Sequence, residues 1–175
     1  AVASSRRDLS LHILSNGQHF TPQFERQLKS LHADLDILWG IPLYSHIAAR
    51  HDEIVGKLGA FEPLLNNFYR LGASGAAIEL RTVLTARNVM DLPYLANFIA
   101  THLPFISYWA IMAMEPIGYA RANKDELFFD HSVFSEPITS AITIANTKGT
   151  EVKLFNFPLC TLPPNFQSYC NQSIS

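Results

Sequence analysis

Apolar and polar residues alternate with two different periods along this chain. Residues 9–14 form a short apolar run that stops at Ser15-Asn16-Gly17, which predicts a strand ending in a turn. Thr21 followed by Pro22 predicts a helix start, with Thr21 as cap and Pro22 at the first helical position, running to about residue 32. A second strand is predicted over 35–41, ending near Pro42-Leu43-Tyr44-Ser45. A short helix around 51–55 precedes a longer one over 61–71. There Phe61, Leu64, Leu65, Phe68 and Leu71 recur at helical spacing until Gly72 and Gly75 stop them. A third strand is predicted over 76–84, a helix capped by Asp91 over 92–102, and a fourth strand over 105–114. Residues 119–131 read as polar and irregular. A helix over 133–147 should stop at Lys148-Gly149, and a fifth short strand over 151–156 leads into Pro-rich coil.

Strands alternating with helices through short connections imply an α/β fold with a parallel sheet and right-handed crossovers. The sheet is either open and doubly wound or part of a β/α barrel. The chain has no G-x-G-x-x-G and no Walker loop, which lowers the odds of a nucleotide-binding open sheet. Residues 92–114 contain no Asp, Glu, Lys or Arg, a length that raises the question of a membrane span. Pro93, Asn97, His102 and Pro104 interrupt the stretch, so a helix, a turn and a buried strand explain it better.

Composition narrows the reading. The 175 residues are 48% apolar and 16% charged with a net charge of -2, which fits one folded globular unit with a sizeable core. No basic run offers a footprint for nucleic acid. The two cysteines, Cys160 and Cys170, cannot complete a zinc or cluster site by themselves. No pair of histidines has metal-ligand spacing. The opening residues carry neither a Met nor a leader pattern, and the chain is expected to be a piece of a longer protein. In the stretch from His51 to Phe61, Asp52 is expected to cap one turn, Gly56 to end it, Gly59 to turn the chain and Phe61 to anchor the next helix.

That stretch also resembles the loop after the fourth strand of radical SAM enzymes that modify peptides. Leu14-Ser15-Asn16-Gly17 is similar to the end of that family's third strand. Arg81-Thr82-Val83-Leu84-Thr85 with Asn88 resembles its fifth strand and the Asn that follows, and Ile111 to Gly118 its sixth strand and exit. The segments 11–17, 40–45, 51–61 and 156–175 look like the maturase of the His-Xaa-Ser peptide-modification system.

The resemblance implies a partial (β/α) barrel of the radical SAM type, open on one side with helices outside. Residues 1–130 would be strands three to six, and 131–175 a C-terminal helix, short strand and Cys-containing extension. In full length such an enzyme would reductively cleave S-adenosylmethionine at a [4Fe-4S] cluster to modify a peptide. The cluster's C-x3-C-x2-C loop and the Gly-Gly-Glu-Pro strand end are missing here and would lie upstream, so this chain alone is expected to be inactive, with neither group bound.

The residues that would face the cofactor are Ser15, Asn16, Tyr44, Ser45, Arg81, Thr85, Asn88 and Met114. Tyr44 and Ser45 depart from the Ser-Ile-Asp-Gly of many relatives. Arg81 suits a carboxylate, or alternatively pairs with Glu79. Cys160 resembles the first ligand of a late auxiliary metal site. The expected partners are the missing N-terminal part of the same barrel, a peptide substrate and, for the fragment, a second copy. No nucleic acid or membrane partner is expected, and the location is expected to be cytoplasmic. A self-contained β/α binding domain without catalysis is the competing expectation.

Overall fold

The computed structural model describes residues 10–21, 23, 24, 27 and 35–171. Five strands form one sheet: β1 (Ser10–Leu14), β2 (Asp36–Pro42), β3 (Ala77–Leu84), β4 (Tyr108–Ala113) and β5 (Val152–Phe155). They lie side by side in chain order, and every pair is parallel. A doubly wound sheet would reverse its order at a switch point. The sequential order is instead that of a barrel wall, left open.

The helices are α1 (Ala48–Val55), α2 (Phe61–Ala73), α3 (Leu92–His102), α4 (Gly118–Ala122), α5 (Lys124–Leu127) and α6 (Ser135–Thr147). Right-handed crossovers between neighbouring strands send the connecting helices to one face of the sheet. The strands record this in their burial. Ile37, Trp39 and Ile41 of β2, Ile78, Leu80 and Leu84 of β3, Trp109 and Ile111 of β4, and Val152 and Leu154 of β5 are all buried. They join Leu64, Phe68 and Leu71 of α2, Leu95 and Ile99 of α3, and Ile138 and Ile142 of α6 in one core. The opposite parity, including His12, Leu14, Gly40, Glu79, Arg81, Tyr108 and Met112, forms the inner face.

Thr82 is the polar member of the buried row. Its Oγ1 donates to the Leu43 carbonyl (2.7 Å) and accepts the Trp109 indole N–H (2.9 Å), linking the end of β2 to β4 through β3. Both outer groups need that hydroxyl, because a buried unpaired donor or acceptor keeps its full desolvation cost.

Several boundaries differ from the pattern-based reading. The fourth strand begins at Tyr108, not 105. Residues 103–107 turn instead, with Ile106 N–H bonded to Leu103 and Ser107 N–H to Ile78, while the Phe105 ring packs on Gly72. Residues 119–131, expected to be irregular, contain α5 and most of α4. These helices bury no side chain, so no apolar period announces them. Asp91 stands at the N-cap position of α3 but makes no cap bond, and its carboxylate pairs with Arg50. The helix expected from Thr21 to about residue 32 lies mostly outside the described residues, although Thr21 Oγ1 does accept the Phe24 N–H. No described helix is long and apolar enough to cross a membrane.

Two outcomes follow for stability. Thr82→Val should cost about 1–3 kcal/mol by orphaning the indole N–H and the Leu43 carbonyl, read as a fall in Tm of about 2–4 °C per kcal/mol. His131 packs among Phe128, Phe129 and Phe157, and its Nε2 has no partner among the described residues. Burial lowers its pKa from the usual 6.5, with Asp130 opposing. The fold therefore favours the neutral ring. Its contribution is intact above about 6.5 and is lost as pH falls from there towards the lower folded value. The urea midpoint should drop between about pH 7.5 and about pH 5.5, and His131→Phe should shrink that drop; an unchanged pH dependence in the variant would refute the assignment.

Candidate functional site

The inner face carries a cavity of about 340 Å³ at the C-terminal ends of β1, β2 and β3, lined by Leu14, Ser15, Asn16, Gly40, Pro42, Tyr44, Arg81 and Val83. Ligands of parallel α/β folds gather at this end of the strands. Four of the residues proposed from sequence therefore come together here: Ser15, Asn16, Tyr44 and Arg81. Ser15 and Asn16 lie in a tight turn, where Ser15 Oγ accepts the Gly17 N–H and Asn16 Oδ1 the Gln18 N–H, each at 3.1 Å. Gly17 has φ 68, and a Cβ there would sit 2.5 Å from Leu64 Cδ1, so both conformation and packing demand glycine.

The remaining candidates take other positions. Ser45 is buried, with its Oγ accepting the Ile47 N–H. Thr85 and Asn88 are buried against each other. Asn88 Oδ1 accepts the Thr85 N–H (2.8 Å), and its Nδ2 donates to Val83 O (3.1 Å) and Tyr44 O (3.4 Å). Met114 is half-buried just past the end of β4, off the cavity lining. Cys160 is exposed in a short 3-10 turn, and Cys170 is half-buried at a bridge to Leu154 of β5. Burial raises the Cys170 thiol's pKa. Among the described residues no three His, Cys, Asp or Glu side chains converge as metal ligands.

Tyr44 is held from behind by the His-Asp pair of the 51–61 stretch. Its N–H donates to His51 Nδ1 (3.3 Å), which requires a bare Nδ1, and burial accordingly lowers the His51 pKa against the pull of Asp52. Asp52 does not cap its own turn as expected. Its carboxylate crosses to the start of α2 and accepts the N–H groups of Gly59 (2.5 Å), Ala60 (3.0 Å) and Phe61 (2.9 Å). Burial pushes this carboxyl up, but those three bonds and His51 outweigh it and hold its pKa below the usual range. The pair thus fastens both the end of β2 and the next helix. Burial also raises the Tyr44 phenol's pKa, with Arg81 opposing, so the cavity presents a neutral hydroxyl.

Beneath the cavity lies a group that pattern reasoning met only as a partner for Arg81. Glu79 is 2% exposed yet sits on the inner face. One oxygen is 2.5 Å from His12 Nε2, the other 3.6 Å from Arg81 Nη1. Tyr108 faces the same carboxylate, and burial together with that negative charge pushes the phenol's pKa up to about 12. Gly40 makes the arrangement fit. A Cβ there would meet Leu14 Cδ2 at 2.5 Å, His12 Nε2 at 3.0 Å and Arg81 Cδ at 3.2 Å. His12 reaches two strands across because position 40 is bare. Arg81 itself is underused. Its Nη2 meets the weak acceptor Met112 Sδ at 3.2 Å, Nη1 is beyond hydrogen-bond range of Glu79, and no other protein acceptor engages the guanidinium among the described residues.

No family model matches the sequence, and no curated protein matches it either. A solved structure does share its fold: a domain of pyruvate-formate lyase-activating enzyme from Bacteroides vulgatus ATCC 8482. The TM-score is 0.59 at 14% identity, over 83% of this chain and 79% of that one. The open, parallel partial barrel expected from sequence is therefore the fold observed.

Gly40→Ala should push Leu14 aside, crowd His12 and Arg81, and cost about 1–3 kcal/mol through overpacking. Thermal denaturation measures this, and a loss below about 0.5 kcal/mol would show that the crowding relaxes harmlessly.

Proposed function

We propose that this chain is the cofactor-facing part of a radical SAM enzyme that modifies a peptide, and that Arg81 takes the carboxylate of S-adenosylmethionine. The observation that carries the reading is the half-buried guanidinium with unengaged donors, lining a cavity at the strand ends beside two hydroxyl side chains and an amide. A guanidinium fork matches a carboxylate in two parallel bonds, and a half-buried setting strengthens them. Ser15, Asn16 and Tyr44 supply neutral polar groups around that contact, and the sequence resemblance and shared fold point the same way.

S-adenosylmethionine, when bound beside a reduced iron–sulfur cluster, supplies the reductive carbon–sulfur cleavage on which such enzymes depend. The donor set described here suits the carboxylate end of that molecule. It does not suit the cluster, since Cys160 is exposed, Cys170 is turned to the β5 edge, and among the described residues no third ligand stands beside either. The cluster ligands would come from upstream units continuing the barrel past β1, and the peptide would approach over the same strand ends.

The test is an NMR titration of the chain with S-adenosylmethionine. Weak saturable shifts should centre on residues 14–16 and 44, and Arg81→Gln should weaken binding by about tenfold or more. Shifts elsewhere, or binding indifferent to Arg81, would overturn the reading. Upstream coding sequence with a C-x3-C-x2-C loop would support it independently.

A further inference from the structure

Glu79 cannot touch a ligand in the cavity, because its carboxylate is buried beneath the guanidinium. Its Oε2 nonetheless lies 2.5 Å from His12 Nε2, and its Oε1 stands 3.6 Å from Arg81 Nη1. A rigid negative charge at that distance acts on anything Arg81 binds, and the half-buried setting leaves the field poorly screened. The nearest titratable group is His12, 2.5 Å from the carboxylate and charged only when protonated; the other charged groups nearby are Lys153 of β5, 4.0 Å from the Tyr108 ring centroid, and Glu151, 3.3 Å from Lys153. They largely offset each other. On β2 the cavity contributes Gly40, Pro42 and Tyr44, none of them charged in the fold.

We propose that Glu79 is a specificity-determining residue that tunes the cavity to singly charged carboxylates. It subtracts from the affinity of every anion in proportion to that anion's charge, so doubly charged sulfate-like or phosphate-like groups lose most. The inference deepens the Arg81 reading and rests on it. It identifies the acceptable ligand head as a lone carboxylate, such as that of an amino acid, and the rejected class as dianions.

The experiment titrates acetate and sulfate separately into the full chain at fixed pH and ionic strength, followed by NMR shifts of residues 14–16 and 44. Glu79→Gln keeps the side-chain shape and removes the charge. Because a Coulomb free energy scales with ligand charge, the variant should gain about fivefold for acetate and about the square of that, some twenty-five-fold, for sulfate. A merely structural role would weaken both anions or move them by one factor, and either result overturns the proposal. Should Glu79→Gln fail to fold, the double variant His12→Gln/Glu79→Gln is compared with His12→Gln alone, so that only the Glu79 charge differs, and is read the same way. Arg81→Gln separates the two levels. If it leaves acetate binding unchanged, or if wild type binds neither anion, the carboxylate contact itself fails and this inference with it. If Arg81→Gln abolishes binding while Glu79→Gln shows no charge scaling, the Glu79 proposal falls alone.

Discussion

Five parallel strands laid side by side in chain order send their crossover helices to one side of the sheet. Among the described residues the opposite side is then left without a layer of its own. Apolar residues there would be a liability in water, and charged ones would be half-buried by their neighbours. The chain meets this constraint with a compact polar arrangement. Glu79 stands against His12 of β1 and Tyr108 of β4 and beside an arginine of its own strand. Everything that gives the inner face its character depends on that carboxylate being matched, because an unmatched buried charge is costly.

The match in turn depends on a missing side chain. Gly40 stands where β1, β2 and β3 run in register, Leu14 opposite it on one side and Glu79 on the other. With nothing projecting from Cα, an imidazole from one neighbour and an arginine stem from the other pass over it. The same opening forms the floor of the cavity. Geometry that serves packing thereby leaves a guanidinium facing outward, with the residue after β2 held in place by His51.

Much of this architecture was legible in the residues. Period-two and helical runs located the five strands and the long helices, because burying one face of each leaves a periodic trace. Four of the candidates that the resemblance implied, Ser15, Asn16, Tyr44 and Arg81, line one cavity. Other features left no such trace. Asp52 looked like a local cap because it opens a short polar turn, yet it bonds to residues seven to nine positions on, a link only the folded loop creates. Thr85 and Asn88 looked ligand-facing, but three residues apart they close on each other. Short α4 and α5 bury nothing and so impose no pattern. Glu79 could be suspected of pairing with Arg81, but its closeness to His12 and Tyr108 depends on strand register, which local sequence does not display.

The C-terminal segment shapes the sheet's outer margin. Cys170 bridges Leu154 in parallel, and the Asn171 N–H donates to the Leu154 carbonyl at 2.8 Å. The chain thus occupies the middle of β5's free side with its own backbone. A strand left bare there would be a template on which foreign strands could dock, the first step towards uncontrolled fibrous growth. By covering that point from within, the molecule blunts β5 as a docking edge with its own backbone.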